Sequence, residues 1–361
     1  MSTPLHVRGV VLPNDATLDL WLVGDRISLT PVPGAETIAD SGFILPGLVD
    51  AHCHIGMQPG GAPVESLDEA RQLSFVDRDA GVLAIRDAGS PYPYAPLDDD
   101  PDVPRLARAG RHVAPPKRYL RDIGVEVTEA ELADEAERQA ARGNGWVKLV
   151  GDWIERDVGD LAPAWPVEAF AGAIERAHAA GARVAVHTFA EESVAALVRA
   201  GVDSVEHGTG LSEDDIAEMA RRGTALVPTM INVVTFDKIA AQAEEKFPGY
   251  AAHMLALRER HPAVVAAAHE AGVPIYVGSD AGGGISHGLA AREMLLLHEH
   301  AGMSTVDVLR AGSWGAREWL GFPGLVESGL ADLVVYDADP RVDLSVLLAP
   351  RRIVLRGRVV R

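Results

Sequence analysis

From residue 46 to residue 324 the chain alternates short apolar runs with longer amphipathic ones, and no other feature narrows its fold as much. The apolar runs are LPGLVDAHCHIG, GVLAIRDAG, RHVAPPKRYL, GWVKLVGDW, ARVAVHTFA, VDSVEHGTG, TALVPTM and PIYVGSDAGG. Between them, residues 66–80, 103–110, 128–143, 166–181, 191–201, 212–223, 288–301 and 304–320 have helical patterning. Thr128 with Glu131 three residues on reads as a capping box. Pro166 and Gly181 bracket another helix, and Ser212 opens a third. A long helical region, broken near Pro248 and Pro262, runs from the seventh strand to Gly272. Strands that alternate with helices predict a parallel sheet with right-handed crossovers. Eight such units match an α/β fold of the (β/α)8 TIM-barrel type, whose active sites lie at the C-terminal ends of the strands. LHVRGVVL and DLWLVGDRISL near the start, and ADLVVYDAD and RRIVLRGRVV near the end, are strand-like. Residues 1–45 and 325–361 are therefore expected to form a small β-sandwich domain beside a barrel domain of residues 46–324.

Composition excludes several function classes. Hydrophobic residues make up 47%, enough for a sizeable core. The formal charge is 33 − 52 = −19, which argues against nucleic acid and anionic membranes as partners. A single cysteine rules out an internal disulfide and fits a reducing compartment. The first residues, MSTPLHVRGV, lack a basic stretch followed by an apolar one, and no apolar run reaches the ~18 residues that span a bilayer. A soluble, cytoplasmic protein is expected.

Polar residues end the apolar runs where a barrel would need them. His52 and His54 close the first, and the two-residue period of a strand aims both side chains the same way. Lys148 lies in the fourth run, His187 ends the fifth, His207 the sixth and Asp280 the eighth. Taken singly, His187 reads equally as a packed histidine, His207 and Asp280 as caps, and Lys148 as a surface group. Taken together they converge on one rim with the residue types that hold divalent metals. His298 and His300 imitate the histidine pair but fall on a helix, where residues two apart do not share a face. His178 and His269 sit near helix ends, His253 and His261 in the helical insertion, and Cys53 reads as a buried small side chain.

The runs LPGLVDAHCHIG, IRDAG, VKLV, VAVHTFAEESVAALVRAGVDSVEHG, VGSDAG with His287-Gly288, and GLADLVVYDADP resemble the amidohydrolase superfamily. Within it they resemble the imidazolonepropionase-like and Xaa-Pro-dipeptidase-like group of metal-dependent hydrolases. The resemblance implies two divalent ions, zinc by expectation. His52, His54 and Asp280 would hold one, and His187 and His207 the other. Lys148, carboxylated by CO2, would bridge them; burial favours the neutral amine that this reaction needs. It further implies a hydroxide between the ions that attacks a carbonyl, with Asp280 shuttling the proton to the leaving nitrogen. Arg86 and Asp87 would orient the ligands, while His287, Tyr119 and Trp153 would contact substrate, as could Arg121. The expected activity is hydrolysis of an amide or related C–N bond in a small molecule: a dipeptide, an N-acyl amino acid or a cyclic amide. The segment after the lysine strand reads GDWIERDVGD where peptidase-like relatives are glycine-rich, so the substrate class stays open. The alternatives are a mononuclear deaminase or cyclic-amide or lactone hydrolase on the same barrel, and a metal-containing binding protein without catalysis. A homo-oligomer is expected, with residues 235–272 as a lid or subunit contact.

Overall fold

The computed structural model describes residues 3–361. Apolar residues recur at every second position near the start of the chain, and they pair as strands. β1 (Leu5–Val11) runs antiparallel to β2 (Ala16–Val23), which continues to β3 (Arg26–Ser28). β4 (Glu36–Ala39) and β5 (Phe43–Pro46) both lie parallel to β1.

The character of the chain then changes. β6 (Leu48–Cys53) and β7 (Val82–Asp87) are buried at every position, as befits parallel strands covered on both faces. With β8 (Arg105–Arg108) they form a three-stranded parallel sheet. A second parallel sheet contains β9 (Val113–Ala114), β10 (Val125–Glu126) and β11 (Trp146–Val150). β12 (Asp152–Glu155) and β13 (Asp160–Pro163) leave it as an antiparallel hairpin. β14 (Arg183–Thr188), β15 (Ser204–His207) and β16 (Ala225–Val227) extend the second sheet in chain order beyond β11. Residues 274–281 join the two sheets. Leu226 N–H donates to the Pro274 carbonyl at 2.8 Å, Ala51 N–H to Val277 at 2.7 Å and His54 N–H to Ala281 at 2.8 Å. Finally β17 (Leu333–Tyr336), β18 (Arg352–Leu355) and β19 (Arg358–Val359) return to the N-terminal strands. The two ends of the chain thus share one eight-stranded mixed sheet, in which β17 pairs with β5.

Helices cover the parallel strands. Ser66 opens helix Leu67–Asp79 by accepting the Glu69 N–H at 3.1 Å. Thr128 and Glu131 form the expected capping box, and Ser212 pairs reciprocally with Asp215 before helix Glu213–Arg222. The large apolar cluster lies between these helices and the strands.

Three expectations change. Residues 103–110 are not a helix, because Arg105–Arg108 is the strand that pairs with β7. RHVAPPKRYL keeps only the two-residue β9, so the third strand is split: β8 bonds to its left neighbour and β9 to its right. The long helical region is broken before Pro248 as expected, between helices Phe236–Ala243 and Pro248–Glu270, but Pro262 lies inside the second helix and does not interrupt it. The eighth run is extended but makes only isolated bridges. Gly278 comes so close to β6 that a Cβ there would stand 2.6 Å from the His52 Cβ. No helix of the described residues is long and apolar enough to cross a membrane.

Candidate metal centre

His52 and His54 leave the end of β6 on the same side, as the strand period requires. The two rings are held through the same atom. His52 Nδ1 lies 2.5 Å from Glu206 Oε2, and His54 Nδ1 lies 2.7 Å from the Gly89 carbonyl. A carboxylate and a carbonyl only accept, so Nδ1 carries the proton in both rings and a neutral ring keeps its lone pair on Nε2. Both Nε2 atoms face Asp280 Oδ1, at 3.2 Å and 3.1 Å. Two lone pairs and a carboxylate aimed at one point repel each other unless protons or a cation stand among them. The ligand atoms of His52, His54 and Asp280 all lie within 4.8 Å of one another, which suits one divalent ion.

The second pair lies on the adjoining strands β14 and β15. His207 Nε2 is 3.0 Å from His187 Nδ1, and His207 Nδ1 is 2.6 Å from the Thr229 hydroxyl. His187 Nε2 is buried with no hydrogen-bond partner. His207, Thr229 and Asp280 all adopt left-handed backbone, with φ of 66°, 46° and 57°. Such strain in non-glycine residues gathers at functional sites.

Lys148 lies on β11, between the two histidine pairs in strand order, and is 1% exposed. Burial pushes its amine down to about 8, against the pull of Glu206. Burial also holds His187 and His207 well below the usual histidine value, helped by Lys148 for the first and by His187 for the second. These rings are neutral, the form that ligates metal. At Asp280, burial pushes the carboxyl upward, but His52 and His54 outweigh it and hold it well below the ordinary value. A buried amine lowered to about 8, an orphaned imidazole nitrogen and a three-ligand cluster fit a divalent-metal centre.

Sequence reasoning missed three members of this site. Glu206 joins His52 to Arg86, whose Nη2 donates to it at 2.6 Å, and to Ser204 at 2.5 Å. His112 is fully buried, stacks on His54 at 5.1 Å, and has both ring nitrogens unpartnered. Asn232 Nδ2 donates to Asp280 Oδ2 at 2.5 Å. A histidine in the third apolar run was the only sequence signal for any of them.

Above the histidines lies a cavity of about 320 Å³. Tyr119, Leu120, Trp153, Phe189, Ile239 and Ile285 wall it, and Lys238 stands among its lining residues. Tyr119 and Trp153 therefore sit where a substrate contact would be, with ring centroids 4.8 Å apart. His287 does not line this cavity. Its Nδ1 is 2.8 Å from Asp77 Oδ2 and 3.6 Å from Cys53 Sγ, on the far side of β6. The loop after Asp280 turns back through Gly282, Gly283 and Gly288, all at positive φ, and carries His287 onto helix Leu67–Asp79. Arg121 is exposed, outside the cavity lining. Arg86 orients His52 through Glu206, while Asp87 accepts the backbone N–H of Ile55 at 2.9 Å and of Gly89 at 2.9 Å.

Residues 124–360 match the sequence pattern of the Amidohydrolase family. The chain belongs to the amidohydrolase family. An uncharacterized Mycobacterium tuberculosis protein is 52% identical over 355 residues, covering 98% of this amidohydrolase and 95% of its relative. The Aspergillus niger ochratoxinase is 25% identical over 222 residues, 60% of this chain and 45% of that protein. Among solved structures, a Xaa-Pro dipeptidase with methionine in its active site superposes with a TM-score of 0.82 at 22% identity, over 99% of both chains.

Proposed function

We propose that this amidohydrolase cleaves an amide or related C–N bond of a small molecule, using two divalent ions, zinc by expectation. The observation that carries the reading is the convergence of His52 Nε2, His54 Nε2 and Asp280 Oδ1 on one point, each ring fixed through its other nitrogen. His187 and His207 would hold the second ion, and a carbamate on Lys148 would bridge the two. In the same reading, residues 46–324 form a closed (β/α)8 barrel, supported by the backbone hydrogen bonds that link 274–281 to both β16 and β6. Residues 1–45 and 325–361 form the smaller domain. Val7, Leu20, Leu333 and Val354 share an apolar core of their own there, which supports a separate terminal domain, built on the one eight-stranded sheet instead of the expected sandwich.

Bound divalent ions supply Lewis acidity and lower the pKa of water toward 7. The chain supplies the rest. Asp280 accepts the proton of the attacking water and passes it to the leaving nitrogen, with Asn232 fixing its second oxygen. Burial holds His112 well below the ordinary histidine value, so it is neutral. Its free N–H is available to a developing oxyanion. The Tyr119–Trp153–Phe189 wall suits an apolar acyl or side-chain group. Lys238 makes no ion pair among the described residues, and with Gln242 one turn on it supports a substrate carboxylate, as in a dipeptide or N-acyl amino acid.

Purified protein is assayed for metal and screened against N-acyl amino acids, dipeptides, cyclic ureas and lactones. Asp280→Asn is expected to retain most of its metal while kcat falls by about 10³-fold or more. Unimpaired hydrolysis by that variant removes Asp280 from the proton path. A one-ion enzyme is the second reading, favoured by the direct 3.0 Å contact between His187 and His207. One ion per chain instead of two would establish it.

A further inference from the structure

A second cavity, of about 390 Å³, opens beside the metal centre. Residues 90–95, SPYPYA, form one wall, and residues 108–111 with Arg142 form the other. The walls are tied together, since Ser90 N–H donates to the Gly110 carbonyl at 3.1 Å. Gly89, next in the chain to the wall residue Ser90, carries the carbonyl that holds His54 Nδ1. Pro91 and Pro93 restrict the first wall, so the pocket is formed in advance.

Its charge is unusual for a chain of net −19. Arg108, Arg111 and Arg142 line it, and no acidic side chain does. Arg108 is answered by Asp98, at 2.6 Å from both Nε and Nη2. Arg111 spends Nε and Nη2 on the carbonyls of residues 122–124 and forms no ion pair among the described residues. Arg142, at the end of helix Leu132–Arg142, forms none either. Its carbonyl accepts Arg108 Nη1 at 3.2 Å, and both residues line the same cavity. Burial, and then repulsion from Arg142, lower the Arg111 pKa. The nearby Glu135 is engaged with Arg138 at 2.7 Å.

Neither Arg111 nor Arg142 forms an ion pair among the described residues, Arg111 keeps Nη1 free, and guanidinium groups attract phosphate oxygens. We propose that the pocket lined by Arg108, Arg111 and Arg142 binds a phosphate dianion, either free or as the monoester of a small molecule. A phosphate carries close to two negative charges at neutral pH, which these two guanidinium groups would answer, while Asp122 and Glu135 act on Arg111 from outside the pocket lining. Tyr92 and the proline faces border the site, where an aromatic ester group would pack.

The metal-loaded protein is titrated with inorganic phosphate and with phenyl phosphate by calorimetry. Arg142→Glu serves as the charge-reversed variant; Arg142 is exposed and outside the metal centre, so the fold should be retained. Wild type is expected to bind at least one of the two at up to about 10 mM, and Arg142→Glu to weaken that binding by about tenfold or more. Tighter binding of phenyl phosphate identifies a monoester as the ligand, and equal binding identifies free phosphate. Binding that is undiminished in Arg142→Glu belongs to the metal centre and overturns the proposal, as does the absence of binding by wild type. Neither result depends on whether the protein hydrolyses an amide.

Discussion

An imidazole ligates through whichever nitrogen its neighbour leaves without a proton, and at His52 that choice belongs to Glu206. Glu206 Oε2 accepts hydrogen bonds from His52 Nδ1 and Arg86 Nη2, both inside the protein, where the partners are no more than 1% exposed. Arg86 has no other carboxylate partner among its hydrogen bonds. Replacing Glu206 with Gln turns one of its two accepting oxygens into a donor and leaves the guanidinium buried without a counter-charge. The expected outcome is a 10–100-fold weaker hold on metal, read by chelator competition, and a stability loss of about 3–5 kcal/mol, read by urea unfolding. Unchanged metal affinity would mean that Glu206 does not set the tautomer. The positions of the candidate ligands were legible: His52, His54, Lys148, His187, His207 and Asp280 lie in or just after parallel strands, and His52, His54 and Asp280 gather within 4.8 Å. Glu206 was not legible, because strict alternation puts neighbours on opposite faces. The φ of 66° at His207 breaks that alternation, so Glu206 and His207 both approach His52. His287 was misread for a related reason. Its distance from Asp280 along the chain said nothing of how three glycines would fold the loop.

Among the elements, long periodic helices and fully apolar strands were readable, and short apolar runs were not. VPRLARAG has the length of either a strand or about two helical turns, and only its pairing with β7 decides between them. The eighth segment shows what a sequence pattern omits: its place depends on how closely two backbones approach. A Cβ at Gly278 would meet Val227 Cγ1 at 2.5 Å and the His52 backbone nitrogen at 2.9 Å. Gly278→Ala is therefore expected to cost about 1–3 kcal/mol and to weaken metal binding by moving Asp280 away from His52. Gly172→Ala, with nothing within 4 Å and a helical position, is the control and should stabilise by about 0.5–1 kcal/mol. Equal melting points for the two variants would reject the close-approach argument. Glu293 links two other elements. Buried in helix Ala290–Ala301, it accepts the N–H groups of Met230 and Ile231 at 2.7 and 2.9 Å. Burial pushes its carboxyl from 4.5 to about 8. The folded state therefore binds a proton that the unfolded state releases between those values. Its contribution is complete below about 4.5 and is lost as the pH rises through about 8. Metal-free wild type should lose a few kcal/mol across that window, and Glu293→Gln should show a flatter profile. Parallel pH profiles of the two proteins would count against this assignment.

At the scale of the whole molecule, one carboxylate joins the sheet made by the chain ends to the parallel strands. Asp332 directly precedes β17, and Asp332 Oδ2 accepts from Arg105 Nε at 2.5 Å and from Arg317 Nη2 at 2.8 Å. Its other oxygen accepts the Arg356 N–H at 2.9 Å, and its own carbonyl accepts the Gly47 N–H at 3.2 Å. Arg105 belongs to β8 and Arg317 to helix Trp314–Trp319, so three separate parts of the chain meet at a side chain with no exposure. Sequence patterning gave both regions, since each has its own apolar period, but it held no sign of this junction. Charged residues 227 positions apart have no local signature. A buried ion pair adds little over an apolar pair of the same shape, yet removing one partner strands the other. Asp332→Asn should therefore destabilise by about 3–5 kcal/mol at neutral pH, since Arg317 is buried and loses its counter-charge. The sign with pH follows from the two arginines. Burial pushes the Asp332 carboxyl upward, but Arg317 and Arg105 outweigh it and hold it below its ordinary 3.8. The stabilisation is thus present above pH 3.8 and lost as the pH falls through the lowered folded value. Paired unfolding curves should show the gap between wild type and Asp332→Asn at its full size near neutrality and closing only in strong acid. A gap that closes between pH 5 and 7 would assign the junction's strength to other groups.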